Sequence, residues 1–288
     1  MANLKLIRAR IRTSKNIRQI TRAMKLVAAA RLKKAQDRVT EARPYSEKMR
    51  ELMLSLSSAG ELPPHPLLEK RPDVNKICLI LITADRGLAG SYNTNLLRKA
   101  GDWLKAQTTP TDLFCIGKKG TLFFDKRGYK VIGTHTVPNT GARPEDAQIV
   151  TKTARDFFES GEYDAVYVCY SKFYSPIRQV PQIVQILPIE PPQAEEGAVV
   201  SSKEYEFEPS AAGLLSNLLP RYVATLVLQA MLESTASEHG SRMTAMTSAT
   251  DNAGKMINNL TLIANRERQA SITKEILEVV GGAEALKN

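Results

Sequence analysis

The chain has 288 residues, of which 43% are hydrophobic, 24% charged and only 6% aromatic, with a formal net charge of +10. That hydrophobic content builds a real core and excludes a disordered chain. So few aromatic residues speak against a binder that stacks nucleic-acid bases. The excess charge lies at one end: the first 36 residues carry eleven Lys or Arg and no Asp or Glu, which leaves 29 basic and 30 acidic residues in the other 252. Cys78, Cys115 and Cys169 each sit inside an apolar run and show no metal-ligand spacing, so they read as reduced core thiols. No apolar run approaches the ~18 residues that a membrane span needs. The acid-free start is reminiscent of a transit peptide. It contains only one Ser in those 36 residues, however, and its helical repeat runs on past the usual length of such a peptide.

The first part, residues 1–58, reads as one long helix. Ile17, Thr21, Met24, Ala28, Leu32, Ala35, Val39, Ala42, Ser46, Met49, Met53 and Leu56 recur at steps of three and four, a heptad seam with one stutter near Ala28. Leu4, Ile7 and Ile11 begin the same stripe. Pro44 predicts a local kink rather than an end. Pro-rich sequence (Leu62-Pro63-Pro64-His65-Pro66) follows, as a linker would.

The middle part, residues 74–200, alternates short apolar runs with helical stretches. Strands are predicted over 77–84, 112–117, 129–133, 165–171 and 179–189, and helices over 93–107, 118–126 and 146–159. Pro181 and Pro188 cannot donate to a ladder, which places the last strand at an edge. Alternation of this kind predicts an α/β layer around a mainly parallel sheet.

The third part, residues 209–288, is a second long helix that tolerates Gly213, Gly240 and Gly254, with a bend at Pro220. Its seam is Met243, Met246, Thr250, Ala253, Ile257, Leu260 and Ala264. Two long helices joined by a compact domain pair antiparallel. At 1.5 Å per residue they would be about 85 Å and about 115 Å long. With Leu56 beside Leu215, Met1 falls near residue 270. The last ~16 residues, with Ile272, Ile276, Leu277, Val279, Val280 and Leu286, then project alone for about 25 Å. A lone helix so apolar requires a partner that sheathes it.

Catalytic chemistry finds little support. Asp85-Arg86-Gly87-Leu88-Ala89-Gly90 follows the first strand as a phosphate-binding loop would. It lacks the GxGxxG and GxxxxGK[ST] spacings, so a tight packed turn is the stronger reading. His65, His135 and His239 have no companion ligand at metal spacing, and no nucleophile motif is present. The chain reads as no enzyme, with no cofactor and no metal. A basic helix suits nucleic acid by charge, but here the basic residues share one stretch with the seam, unlike a DNA-reading helix with its separate zipper. A nucleic-acid-binding coiled-coil protein is the competing reading.

Two stretches carry a family likeness. Ile17-Arg18-Gln19-Ile20-Thr21-Arg22-Ala23-Met24-Lys25-Leu26-Val27-Ala28 and the run from Arg242-Met243-Thr244-Ala245-Met246 to Asn265-Arg266-Glu267-Arg268-Gln269-Ala270-Ser271-Ile272-Thr273-Lys274-Glu275-Ile276 resemble the gamma-subunit family of rotary (F-type) ATP synthases, of bacterial type. Asp85-Arg86-Gly87-Leu88 is the third signature, and the likeness covers essentially the full length. The resemblance implies an antiparallel coiled coil of N- and C-terminal helices flanking a Rossmann-like parallel-sheet domain that binds no nucleotide. It implies a central rotor shaft that couples c-ring rotation to the conformational cycle of the catalytic subunits.

The partners implied are the alpha and beta subunits of the catalytic ring, the epsilon subunit and the c ring, with no nucleic acid and no direct membrane insertion. By the same resemblance Met24 and Lys25 lie near acidic lever loops of the catalytic subunits. Arg266, Arg268, Gln269 and Thr273 match positions that touch those subunits, and Ile272, Ile276, Leu277 and Val280 form an apolar bearing tip. Tyr205, Glu206, Phe207 and Glu208 match the foot on the c ring, and Asp85, Arg86 and Gly87 the domain turn. Residues 190–210 hold no Cys, so the redox switch of chloroplast relatives is not supported, and Ala89 stands where many relatives have Cys. The start of the sequence points to a bacterial or unprocessed protein, peripheral on the cytoplasmic face of the cell membrane.

Overall fold

The computed structural model describes residues 4–58, 64–138, 141–190 and 211–285. Tyr205, Glu206, Phe207, Glu208 and Leu286 lie outside them. In chain order the elements are α1 (Leu4–Ser58), a 3₁₀ turn (Pro66–Leu68), β1 (Ile77–Ile82), α2 (Tyr92–Ala106), β2 (Thr111–Ile116), α3 (Lys118–Asp125), β3 (Val131–His135), α4 (Pro144–Glu159), β4 (Ala165–Ser175), β5 (Arg178–Leu187) and α5 (Ala211–Ala285). They pack as two compact units. The larger is Ala28–Arg242, and the smaller combines Met1–Val27 with Met243–Asn288. The division cuts both long helices and coincides with neither end of the sheet domain.

The larger unit is built on a five-stranded sheet in the order β3-β2-β1-β4-β5. β1 pairs parallel with β2 and β4, and β2 with β3, while β5 runs antiparallel to β4. β5 is therefore at an edge, where its Pro181 is tolerated. Every residue of β1 is buried, because helices cover both faces of the sheet. Side chains alternate across a strand, so the run splits into two cores. Leu79 and Leu81 join Leu96, Ala100 and Leu104 of α2 and Phe124 of α3. Cys78, Ile80 and Ile82 join Val150, Ala154 and Phe158 of α4 on the other face. That core also takes in Met49 and Met53 of α1 and Leu215, Leu219, Val223 and Val227 of α5.

Three differences from the sequence reading have local causes. The Pro-rich segment is no free linker from Pro64 onward. His65 Nδ1 accepts from the Leu67 amide at 3.1 Å, Leu67 is fully buried, and the Ile189 amide donates to the Leu67 carbonyl at 2.8 Å. The third strand starts at Val131, two residues later than expected, because Arg127, Gly128 and Tyr129 are held in turns on Phe124 and Asp125. β4 runs on to Ser175, past the expected end at Ser171, since its last residues pair with β5 in a hairpin.

Beyond β1, the Ser171 backbone is completed from α5. β1 stops pairing with β4 at Cys169, which leaves that side of Ser171 open to the helix. The Ser171 amide donates to Ser234 Oγ at 3.1 Å, and Ser237 Oγ donates to the Ser171 carbonyl at 2.9 Å. Both serines are buried. Three residues beyond Ser237 on α5, Gly240 allows close approach: a Cβ there would lie 3.3 Å from Pro176 Cα and 3.4 Å from the Phe173 ring.

In the smaller unit two helical segments pair antiparallel. Ser14 Oγ donates to Met256 Sδ at 3.4 Å and Thr250 Oγ1 to Thr21 Oγ1 at 2.8 Å, so a step forward on α1 is a step back on α5. Ile7, Ser14, Thr21, Met246, Ala253 and Ile257 are buried along this seam. Small hydroxylic and Ala side chains let the two backbones approach closely. Ile17, expected in the seam, is 47% exposed, because Ser14 and Thr21 occupy the inward positions on either side of it.

Candidate functional site

Among the described residues there is no group of His, Cys, Asp and Glu able to hold a metal ion, and no helix is long and apolar enough to cross a membrane. The three cysteines are buried, and burial raises their thiol pKa values to about 12 at Cys78, about 11 at Cys115 and about 12 at Cys169. They are inert packing groups at neutral pH. The functional features are surfaces and one polar cluster.

The first surface is the basic face of α1 in the smaller unit. Arg8, Arg10, Arg12, Lys15, Arg18 and Arg22 are all exposed. Among the described residues none of them makes an ion pair within the chain, unlike Lys33, which pairs with Asp37 at 2.8 Å further along the same helix. Met24 and Lys25 are half-buried at the margin of this face. A row of like charges with no internal counter-charge is a standing attraction for an acidic surface.

The second surface is the end of α5. Glu267 is its last half-buried residue, and every residue from Arg268 to Ala283 is exposed. Extrapolating the pairing of Thr21 with Thr250 puts Leu4, the first described residue of α1, level with Glu267, where the partner helix ends. Beyond that level Ile272, Ile276, Leu277, Val279 and Val280 all stand out, with Val279 72% exposed. Arg266, Arg268, Gln269 and Thr273 are exposed on the same stretch. Lys274 makes a surface pair with Glu278 at 3.5 Å. Apolar residues at this density on one exposed helix mark an interaction site.

The polar cluster lies in the larger unit, where the strand order reverses between β1 and β4. Ligands of open α/β sheets bind at this switch point. Here the turn after β1 is engaged by the chain itself. Asp85 Oδ1 accepts from the Lys118 amide at 2.9 Å and so caps the N-terminus of α3 with a carboxylate. The Ala84 amide donates to Asn93 Oδ1 at 3.0 Å. Leu88 and Gly90 take left-handed conformations, with φ of 60° and 54°.

From α5, Arg242 Nη2 reaches the Gly87 carbonyl at 3.4 Å and Glu238 Oε1 at 2.6 Å, and its Nη1 lies 3.2 Å from His239 Nδ1. Burial, with Arg242 and Arg31 nearby, lowers the His239 pKa to about 4. The imidazole is therefore neutral, and its Nδ1 accepts from the guanidinium. Burial also raises the Glu238 pKa, against the pull of Arg242. Glu238, His239 and Arg242 fall three and four apart on one helix face, a spacing visible in the sequence. Judged by metal spacing alone, His239 looks isolated.

The structure thus gathers Asp85 and Gly87 with Arg242 in one cluster. It places Met24 and Lys25 at the margin of the basic face, and Arg266, Arg268, Gln269, Ile272, Thr273, Ile276, Leu277 and Val280 along the exposed end of α5.

The ATP synthase family profile matches residues 3–286. The ATP synthase gamma chain of Brevibacillus brevis is 46% identical over 282 residues, 97% of each chain. That of Pelotomaculum thermopropionicum is 44% identical over 287 residues, the whole of both chains. Among solved structures, a chain of the Euglena gracilis mitochondrial ATP synthase (OSCP, F1 and c ring) aligns with a TM-score of 0.68 at 17% identity, covering 98% of this chain and 94% of that one. A rotor chain of the same enzyme gives 0.68 at 16% identity, covering 93% and 98%. At such identities these neighbours speak for the fold, and the bacterial sequences speak for the family. With the full length matched and the same order of long helix, sheet unit and long helix, the chain belongs to the ATP synthase gamma-chain family.

Proposed function

We propose that the chain is the central rotor shaft of a proton-translocating ATP synthase, coupling rotation of the c ring to the conformational cycle of the catalytic subunits. It carries no catalytic residues of its own. The observation that carries this reading is the asymmetry of the smaller unit: two helices wind together, then one continues alone with apolar side chains exposed on it. A shaft end of that kind suits a greasy collar, because apolar contact has no preferred registry and permits turning. The exposed basic face of α1 suits acidic loops of the surrounding ring. Attraction between charges is long-range and tolerant of angle, as a rotating contact needs.

Within this reading Met24, Lys25, Arg266, Arg268, Gln269 and Thr273 meet the catalytic subunits, and Ile272, Ile276, Leu277 and Val280 turn in the collar formed by alpha and beta. Tyr205, Glu206, Phe207 and Glu208 serve the foot on the c ring. The sheet unit docks the epsilon subunit, and its turn at Asp85, Arg86 and Gly87 ties the sheet to α5. The chain is peripheral, held to the cytoplasmic face of the cell membrane through the c ring.

The test is affinity purification of the tagged chain at moderate salt. The expected result is a complex with alpha and beta subunits that hydrolyses ATP, and rotation of a bead fixed to the sheet unit during hydrolysis. Recovery of nucleic acid alone, released as salt is raised, would overturn the rotor reading.

A further inference from the structure

Within the larger unit, α5 is hydrogen-bonded to the sheet at two levels. At the first, Ser171 of β4 is held through its amide by Ser234 at 3.1 Å and through its carbonyl by Ser237 at 2.9 Å. About one turn further along α5, Ser241 Oγ donates to Gln179 Oε1 of β5 at 3.1 Å. The Gln179 side chain is itself fixed, because its Nε2 donates to the Ser175 and Pro176 carbonyls at 3.0 and 2.6 Å. Ser234, Ser237 and Ser241 are 1%, 0% and 8% exposed. They follow one another at steps of three and four, so they share one face of the helix, and they span about 10 Å of its length. Both strands of the β4–β5 hairpin are thereby bonded to α5. Gly240, between the two levels, lets Pro176 and Phe173 come into contact with the helix.

These contacts differ in kind from those made earlier on the same helix. Val223, Val227 and Met231 enter the core with Val166 and Val168 of β4 by apolar packing. Apolar burial is non-directional, so it holds the helix against the sheet without selecting one angle about the helix axis. Hydrogen bonds weaken steeply when misaligned, so the three serines select one angle. Two bonded levels on one face resist both sliding and turning of α5 against the hairpin.

We propose that Ser234, Ser237 and Ser241 are positioning residues for coupling: they lock the β4–β5 hairpin to α5, so that the sheet and the shaft turn as one body under load. This role rests on the rotor reading. An apolar shaft end turns in its collar because that contact has no registry. Where load passes between the sheet and the shaft the opposite is needed, a contact with a fixed registry. Loss of the hydroxyls leaves the apolar core in place and softens the joint.

The experiment uses the complex of the chain with alpha and beta subunits, fixed to a surface through the ring, with a bead attached at Lys105→Cys. Lys105 is exposed on α2, and the native cysteines are buried, so the bead attaches there alone. The angular spread of the bead at each pause in hydrolysis-driven rotation reports the stiffness of the path from ring to sheet. Ser234→Ala with Ser237→Ala removes two of the three directional bonds and is expected to widen that spread about twofold, with ATP hydrolysis unchanged. Met231→Ala removes buried apolar packing from the same helix. It leaves the spread as in the wild type, which a merely structural role of the serines would not predict. Should the double serine variant fail to assemble, Ser241→Ala, which removes only the bond to Gln179, is read in its place, with a smaller widening. A wild-type bead that does not turn overturns the rotor reading and this role with it. A turning wild-type bead with unchanged spread in the assembled serine variant, or equal widening in Met231→Ala, overturns this role alone.

Discussion

Helix α5 lives in two environments. Along Val223, Val227, Met231, Ser234 and Ser237, in the larger unit, it is buried almost all the way round. From Arg268 to Ala283, in the smaller unit, it is exposed on every side. The two stretches have comparable apolar side chains and one continuous backbone. What separates them is the neighbour: the first lies in a core with the sheet, α4 and α1, while the second has outrun its partner helix. A helix end with apolar residues and no internal partner is built for contact with another chain. In the buried stretch, apolar residues serve stability instead.

That comparison breaks if a charge is tolerated equally in both places. Val227 is fully buried, so Val227→Asp buries an unpaired carboxylate and costs on the order of 4 kcal/mol or more, enough to prevent folding. Val279→Asp, at the exposed end, changes the stability of the isolated chain by less than about 0.5 kcal/mol, while lowering the torque or coupling of the assembled enzyme. Urea denaturation of the two variants, beside hydrolysis-driven rotation of the second, checks both halves.

The next effect is at the polar seam of the buried stretch. Ser234→Ala with Ser237→Ala leaves the amide and carbonyl of Ser171 buried without partners and costs about 2–4 kcal/mol together. Hydrogen exchange at the Ser171 amide speeds up in the double variant. If neither stability nor exchange changes, the sheet is not fastened to α5 through these serines.

Acid acts on the same stretch through His239. Its side chain binds a proton at 6.5 when unperturbed and at about 4 in the fold, so the folded state resists protonation that the unfolded chain accepts. Stability from this group is therefore present above pH 6.5 and lost as pH falls from 6.5 toward 4, by about 3 kcal/mol. Denaturation midpoints across that window test it, and His239→Gln flattens the slope. Met24→Lys also has only a small effect on stability. It adds a charge beside a face already rich in Arg, changes folding by less than about 1 kcal/mol, and uncouples proton pumping from ATP hydrolysis. A normal pumping ratio in the purified complex would remove Met24 from the coupling contact.

Much of the fold was legible in the residues. The parallel sheet with an antiparallel edge strand followed from alternating apolar runs and from Pro181. The antiparallel helix pair followed from two seams of opposite chain position, and the lone apolar end from their unequal lengths. Among its described residues the seam failed at Ile17, where hydrophobicity pointed inward but close backbone approach selected Ser14 and Thr21. The cluster of Glu238, His239 and Arg242 was not found, because its partners Asp85 and Gly87 are distant in sequence. The burial of Glu233 gave no signal at all, since nothing local distinguishes a buried glutamate from an exposed one.

Sequence alone thus determined the periodic features: which segments are helix or strand, where charge accumulates, and that one helix outruns the other. These depend on local propensity and spacing, which the chain carries wherever it folds. Tertiary structure decided which polar groups are satisfied. Only it showed Ser234 and Ser237 completing the backbone of Ser171, Asp85 capping α3, and Arg242 holding a neutral His239 against the turn. Those outcomes depend on which side chains meet across more than thirty residues of chain, and no local pattern encodes such a meeting.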